Sequence, residues 1–140
     1  MAAEPNISRA TQPSMSPSPT AEQLAEAIHS PVASVAARAR EGLADLGPAA
    51  IPVLEGVLHE PSSRARWEAT HALGDMHAPA AAPALVHELT DPDGGVRWLA
   101  AEGLAALGPI ALEPLCKALL QHSESAWLRE GAHHVLVSLL

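Results

Sequence analysis

Apolar residues recur along this chain with two periods, one inside helices and one between them. Val96, Ala100, Leu104 and Leu107 are spaced 4, 4 and 3, which makes a single stripe on a helix of 3.6 residues per turn. Leu85 and Leu89 continue that stripe on a second helix. The longer period runs the length of the chain. Leu24, Leu54, Leu85 and Leu115 stand at intervals of 30, 31 and 30, and Ile28, Leu58, Leu89 and Leu119 follow them at the same intervals. Three more columns keep phase, each stepping by 30, 31 and 32: Ala39, Ala69, Ala100 and Ala132; Leu43, Leu73, Leu104 and Leu136; and Leu46, Met76, Leu107 and Leu139. Pro52, Pro83 and Pro114 add a proline column that apolar composition alone does not generate. A fixed period of this size marks an array of structural repeats.

Each unit reads as a pair of helices. The first helix of a unit ends at Gly47, His77 or Gly108, and the two glycines are followed at once by proline, a strong stop signal. The second helix carries its column proline in the first turn, where the missing N–H has no helical partner to lose. The pattern predicts helices near 21 to 29, 32 to 46, 49 to 59, 63 to 76, 80 to 89, 94 to 107, 111 to 121 and 126 to 139. Strands have no support, because Thr and Val are sparse and Phe and Tyr are absent. Units of this kind bury their apolar faces only against one another. The expected fold is therefore all-α, an α-solenoid (superhelix) of stacked antiparallel helix pairs, about eight helices in four units.

The repeat occupies residues 20–140, and residues 1–19 differ in kind. That amino-terminal stretch, rich in Pro and Ser, has little to bury and is expected to be a disordered arm. Its pairs Ser16-Pro17 and Ser18-Pro19 are candidate phosphorylation sites, with a plain linker as the alternative. Order should begin at Thr20, which can cap a helix while Gln23 returns the bond.

Composition narrows the partners. The 140 residues suit one domain, and 48% hydrophobic residues suffice for a core. Eight basic against sixteen acidic residues give a net charge of -8, which repels phosphate backbones, so nucleic acid is not an expected partner. The single cysteine, Cys116, rules out an intramolecular disulfide and a multi-cysteine zinc site, which suits a reducing, cytoplasmic setting. No export signal or membrane span is expected, since no run approaches about eighteen consecutive apolar residues.

The string "VRWLAAEGLAALGPIALEPLCKAL", echoed by "ARWEATHALGDMHAPAAAPALVHEL" and "VASVAARAREGLADLGPAAIPVLEGVL", resembles short HEAT-like repeats of the variety seen in phycobiliprotein lyase subunits. The resemblance covers roughly residues 20 to 140. It implies the same solenoid, in four HEAT-like units whose second helices line the concave side. Tetratricopeptide and ankyrin repeats have similar lengths, but their signatures are missing. Proteins with HEAT-like repeats include enzymes, lyase subunits and scaffolds, so the resemblance leaves activity open.

The acidic corner Asp91-Pro92-Asp93-Gly94-Gly95 invites a metal or phosphate reading. It lacks the spaced oxygen ligands of a calcium loop and the Lys-Ser/Thr of a phosphate cradle. Asp93 reads instead as a helix N-cap, with Ser62 and Ser125 in equivalent places. The glycines after it are unexplained, because glycine weakens a first turn. Arg66, Arg97 and Arg129 form a column that could bind anions. The alternative pairs each with the acid of an inter-helix corner, Glu60, Asp91 or Glu124, and so ties units together. Trp67 and Trp98 follow two of those arginines in register and, with Trp127, are the only aromatics. They read as fillers between units, with a role as binding anchors left open.

Histidine is plentiful, and His59-Glu60, His87-Glu88 and His133-His134 raise the question of a metal. The HEAT-like deoxyhypusine hydroxylases bind iron with repeated His-Glu pairs after the arginine that opens a first helix. Here Trp67-Glu68 and Trp98-Leu99 occupy those places, and the chain's own His-Glu pairs lie on second helices out of phase. No metal, cofactor or catalytic set is expected. Cys116, beside core Leu115, reads as a buried or half-buried inert thiol.

The expected function is a protein-interaction scaffold whose concave face binds a partner, as one module of a larger protein or complex. Glu26, Glu55, His59, His87, Glu88, Lys117 and Gln121 are the candidate contacts, on a shallow, mainly acidic groove. An enzyme or enzyme subunit of HEAT-like type, phycobilin lyase-like or metal-dependent hydroxylase-like, is the alternative. The closing "HHVLVSLL" leaves Leu136, Val137, Leu139 and Leu140 as an apolar strip. A further domain, self-association or folding back onto a neighbouring helix would each cover it.

Overall fold

A computed structural model of the chain describes residues 17–140. The expected amino-terminal arm lies outside the described residues up to Ser16, and residues 17–20 are exposed and carry no secondary structure. Eight α-helical segments follow: α1 (Ala21–Ala27), α2 (Ala33–Leu46), α3 (Ile51–Leu58), α4 (Ser63–Asp75), α5 (Ala82–Glu88), α6 (Gly94–Leu107), α7 (Leu112–Gln121) and α8 (Ala126–Ser138). No strand occurs among the described residues. The fold is an all-α solenoid.

The helix starts are set by side chains. Thr20 Oγ1 accepts from the Gln23 N–H at 3.2 Å while Gln23 Oε1 accepts from the Thr20 N–H at 2.9 Å, a reciprocal cap on α1. Ser62, Asp93 and Ser125 accept from first-turn N–H groups of α4, α6 and α8. The ends of α2 and α6 depend on Gly47 (φ 68) and Gly108 (φ 73), and His77 (φ 49) takes the same left-handed place after α4.

Those glycines end α2 and α6, and the chain re-enters helical turns at once. Gly47–Ala50 and Gly108–Ala111 are 310 turns that run directly into α3 and α7. No loop residue separates the segments within 33–58 or within 94–121, and with each of those runs counted once the eight segments make six helices. The run Gly94–Gln121 has 28 residues and a mean hydropathy of 1.4 over its most apolar window, enough to cross a membrane by length and composition. Gly108 divides it into segments of 14 and 10 residues, each shorter than the about 20 residues that a straight span requires.

Helix pairing differs in one respect from the sequence expectation. Among helices consecutive in the chain, those joined by the first three polar corners pack most closely, α1 on α2, α3 on α4 and α5 on α6, and the most extensive packing of all is α4 on α6. The glycine-proline turns, which were expected to join the two helices of a unit, link one such hairpin to the next. Across hairpins, α2, α4, α6 and α8 pack in a row. The alanine column explains why they approach closely: Ala39, Ala69, Ala100 and Ala132 are all buried. Where α4 crosses α6, a Cβ built on Gly103 would lie 3.1 Å from the Gly74 Cα and 3.1 Å from Leu85 Cδ1. The leucine columns fill the layer between the rows, with Leu43, Leu54, Leu73, Leu85, Leu104 and Leu115 fully buried.

Replacing Gly103 by valine should therefore push α4 and α6 apart and lower stability by about 1 to 3 kcal/mol, measured by urea unfolding. Gly56 meets nothing within 4 Å, so Gly56→Ala should raise stability by up to about 1 kcal/mol in the same experiment.

Candidate functional site

The acidic corner between α5 and α6 is a structural joint. Asp91 is buried, and Arg66 from α4 reaches it with two bonds, Nε to Oδ2 at 2.8 Å and Nη2 to Oδ1 at 3.3 Å. The Asp93 N–H adds a third to Asp91 Oδ1 at 2.8 Å. Asp93 Oδ1 then accepts from Gly95 and Val96 at 2.8 and 3.1 Å and starts α6. The two aspartates have separate tasks, one an inter-hairpin anchor and the other a cap.

The arginine column makes ties of a different kind from those expected. Arg66 also donates to the carbonyls of Glu60 and Pro61, both at 2.9 Å, while its carboxylate partner is Asp91 of the following corner. Arg97 donates to the Asp91 carbonyl at 2.7 Å, leaving the carboxylate to Arg66. Arg129 donates to the Ser123 carbonyl, not to Glu124. Backbone carbonyls at a helix corner are short of donors, and an arginine six residues on reaches them without crossing to the next unit.

Glu88 departs most from its expected place. It is 2% exposed and faces the joint, where its Oε1 meets His87 Nδ1 at 2.9 Å and its Oε2 has no hydrogen-bond partner. Burial pushes its carboxyl above the usual range; His87 opposes this and Asp91 reinforces it. Burial pushes Asp91 up as well, but the Arg66 guanidinium and the Asp93 N–H outweigh burial and hold it below the usual carboxylate range. The other groove candidates, Glu26, Glu55, His59, His87, Lys117 and Gln121, are all exposed. His87 stands between two shallow depressions. One, of about 260 Å³, has Glu55, His59 and Pro83 in its wall, and the other, of about 370 Å³, has Ala118 and Gln121. Cys116 is exposed, where a buried or half-buried thiol was expected beside its leucine neighbours.

The tryptophans divide. Trp67 packs between units: its Cδ1 lies 3.6 Å from where a Gly95 Cβ would be, and Arg40 Cζ stands 5.7 Å from its ring centroid. Gly95 thus leaves room for Trp67. One unit later the residue in the Gly95 place is Trp127, which fills that room itself. Trp98, expected to be a filler like Trp67, is consequently 58% exposed, and Trp127 is 42% exposed. Arg97 Cζ lies 4.3 Å from the Trp127 ring centroid, a cation–π contact. Gly94, Arg97, Trp98, Trp127, Glu130 and His134 surround a cleft of about 190 Å³ with Gly131 among its lining residues. The only sequence signal for this cleft was the exchange of glycine for tryptophan between positions 95 and 127.

Histidines pair with acids singly. His29 Nε2 lies 2.7 Å from Glu60 Oε1, His134 Nε2 lies 2.7 Å from Glu102 Oε1, and His71 Nδ1 lies 2.8 Å from Asp75 Oδ2. Among the described residues no three His, Cys, Asp or Glu side chains converge on a point where a metal could sit. The Trp67-Glu68 and Trp98-Leu99 positions hold no histidine.

The stacked hairpins and their repeating corners define a helical-repeat protein, and the family follows from comparison. The chain belongs to the HEAT repeats, whose family model matches residues 21–105. A second model, the PBS lyase HEAT-like repeat, matches residues 96–121, the segment that carries Trp98 and Gly108. Among solved structures, human deoxyhypusine hydroxylase in complex with glycerol is similar, at a TM-score of 0.62 and 25% identity over 89% of this chain. The alignment spans 44% of that protein's chain. No curated protein matches.

Removing either partner of the Arg66–Asp91 pair should cost about 3 kcal/mol, because the other charge stays buried, whereas Asp93→Ala should cost about 1 kcal/mol as a lost cap; chemical denaturation of the three variants separates them. The Glu60 hydrogen bond, against the opposing effect of burial, raises the His29 pKa above its ordinary 6.5. A raised histidine pKa adds stability below the unfolded value that is lost as pH rises through the folded value. Melting curves should show that loss on going above 6.5, and His29→Gln should flatten it.

Proposed function

We propose that this chain is a helical-repeat scaffold that holds a protein partner at the Trp98–Trp127 cleft. The observation that carries the reading is the exposure of two of the chain's three tryptophans, side by side, around a cleft edged by Arg97. Tryptophan and arginine are enriched in binding hot spots, and the indole ring buries a large area with few rotatable bonds. A scaffold otherwise has no reason to leave two indole rings in water. Glu130 and His134 on the rim would set orientation. The second-helix groove around His87 serves in this reading as a secondary contact, since it offers charge and shape but no aromatic anchor. The exposed lone thiol suits a reducing compartment such as the cytoplasm.

The enzyme reading draws support from the likeness to a hydroxylase structure. Bound iron or zinc in stoichiometric amount, in protein purified without a tag, would favour it.

The scaffold reading is tested by partner capture. Trp98→Ala with Trp127→Ala should reduce capture at least about tenfold, a loss near 1.4 kcal/mol, with the helical spectrum unchanged. Glu55→Ala, His87→Ala and Lys117→Ala together should reduce it less. Full capture by the tryptophan variant would remove the cleft as the site.

A further inference from the structure

We propose that the group received at the Trp98–Trp127 cleft is an arginine side chain from a basic segment of the partner, laid on the open face of Trp98 with Glu130 as its counter-charge. The assignment rests on the cleft being the partner site. The chain contains its own precedent. Arg40 of α2 stands with its Cζ 5.7 Å from the Trp67 ring centroid, and its Nη1 donates to Glu68 Oε2 at 2.8 Å. One indole and one carboxylate thus hold one guanidinium, by the attraction of a cation to a ring face and by a charge-assisted bond. Trp127 has its arginine too, in Arg97 at 4.3 Å. Among the described residues, Trp98 is the tryptophan over which no arginine stands.

The repeat explains why. Arg40 and Thr70 hold one position on α2 and α4, as Trp67 and Trp98 do on α4 and α6. The side chain in place to cover Trp98 is therefore Thr70, which is buried, too short to lie over a ring, and donates its hydroxyl to the Arg66 carbonyl at 2.8 Å. The carboxylate is missing with it, since the residue in the Glu68 place is Leu99. Both halves of the internal pair are absent, and the Trp98 ring is left open to water. A carboxylate reappears on the other wall. Glu130 of α8 lines the same cleft, is exposed, and makes no ion pair among the described residues.

The other charges of the cleft are already engaged. Arg97 is held by the Asp91 carbonyl at 2.7 Å and by the Trp127 ring, and His134 is held by Glu102 at 2.7 Å. Glu130 is the charge left for an incoming group to answer. The whole chain, at a net charge of -8, draws basic partners and repels acidic ones. A guanidinium suits the place better than an ammonium, because its plane stacks on an indole while its edge still donates to a carboxylate. The cleft lies between α6 and α8, neighbours in the row of packed helices, so its opening is set by Trp98 and Trp127 and not by an outer face of the stack.

Three peptides test this by NMR on the isotope-labelled full chain, read at its indole N–H signals: acetyl-Gly-Arg-Gly-amide, the same peptide with citrulline as the uncharged isostere of arginine, and acetyl-Gly-Glu-Gly-amide. The arginine peptide should shift the Trp98 signal saturably and leave that of Trp67 in place. Citrulline should bind at least about tenfold more weakly, and glutamate should have no effect. Trp98→Leu identifies the signal and should abolish binding, while Glu130→Gln should weaken it about tenfold at unchanged helix content. Citrulline binding as tightly as arginine, a preference for glutamate, or wild-type affinity in Glu130→Gln would overturn the proposal and leave the cleft standing as a partner site. A Trp98 signal that none of the peptides moves would overturn it as well. The cleft itself is then decided by partner capture with the double tryptophan variant, which does not depend on the charge of the group bound.

Discussion

The stack depends on how closely α2, α4, α6 and α8 approach one another, and that approach needs almost no side chain where they cross. Alanine fills the crossing column from Ala39 to Ala132, and at the tightest point Gly74 faces Gly103. With the backbones this near, the leucines of both rows close over the layer between them and exclude water. Burial of those leucines supplies most of the favourable energy, at roughly 25 cal/mol per Å² of apolar surface. Each hairpin contributes only half of such a layer, which is why no unit is stable by itself. Every other feature is placed by this spacing.

The polar joints are fitted around the apolar stack. Once α4 and α6 are set, Arg66 has one carboxylate within reach, and that is Asp91 of the following corner. Burial would favour a neutral Asp91, but three donors face it and keep it charged. Glu88 beside it has His87 on one oxygen and nothing on the other, so burial prevails there. Two carboxyl groups in one joint are thus driven in opposite directions by the donors that happen to face each. The corner serves to hold hairpins together, and its acidity has no need of a metal.

The same spacing produces the candidate site. Trp67 lies over Gly95 because glycine presents no side chain to it. When the next unit offers Trp127 in that place, two indoles cannot share one gap, and Trp98 is displaced into solvent. A binding cleft then arises where the repeat departs from its own rule. The family match fixes the architecture and leaves activity open, as helical repeats serve enzymes and scaffolds alike.

Much of this was legible in the residues alone. The interval of about 31 residues, the proline column and the Gly-Pro stops specified helices, caps and a linear stack, because local backbone preference and apolar periodicity act within a few turns of helix. Thr20, Ser62, Asp93 and Ser125 needed only their own first turns to be recognised as caps. What tertiary structure decided was every question about which neighbour lies opposite. Glu88 read as a groove residue from its helical phase, yet it faces the joint, and Cys116 read as buried or half-buried beside core Leu115, yet it faces water. Arg97 lost its expected carboxylate because Arg66 approaches the same group from another helix. Burial and charge pairing depend on distances between segments some 30 residues apart, and no periodicity along one helix reports those distances.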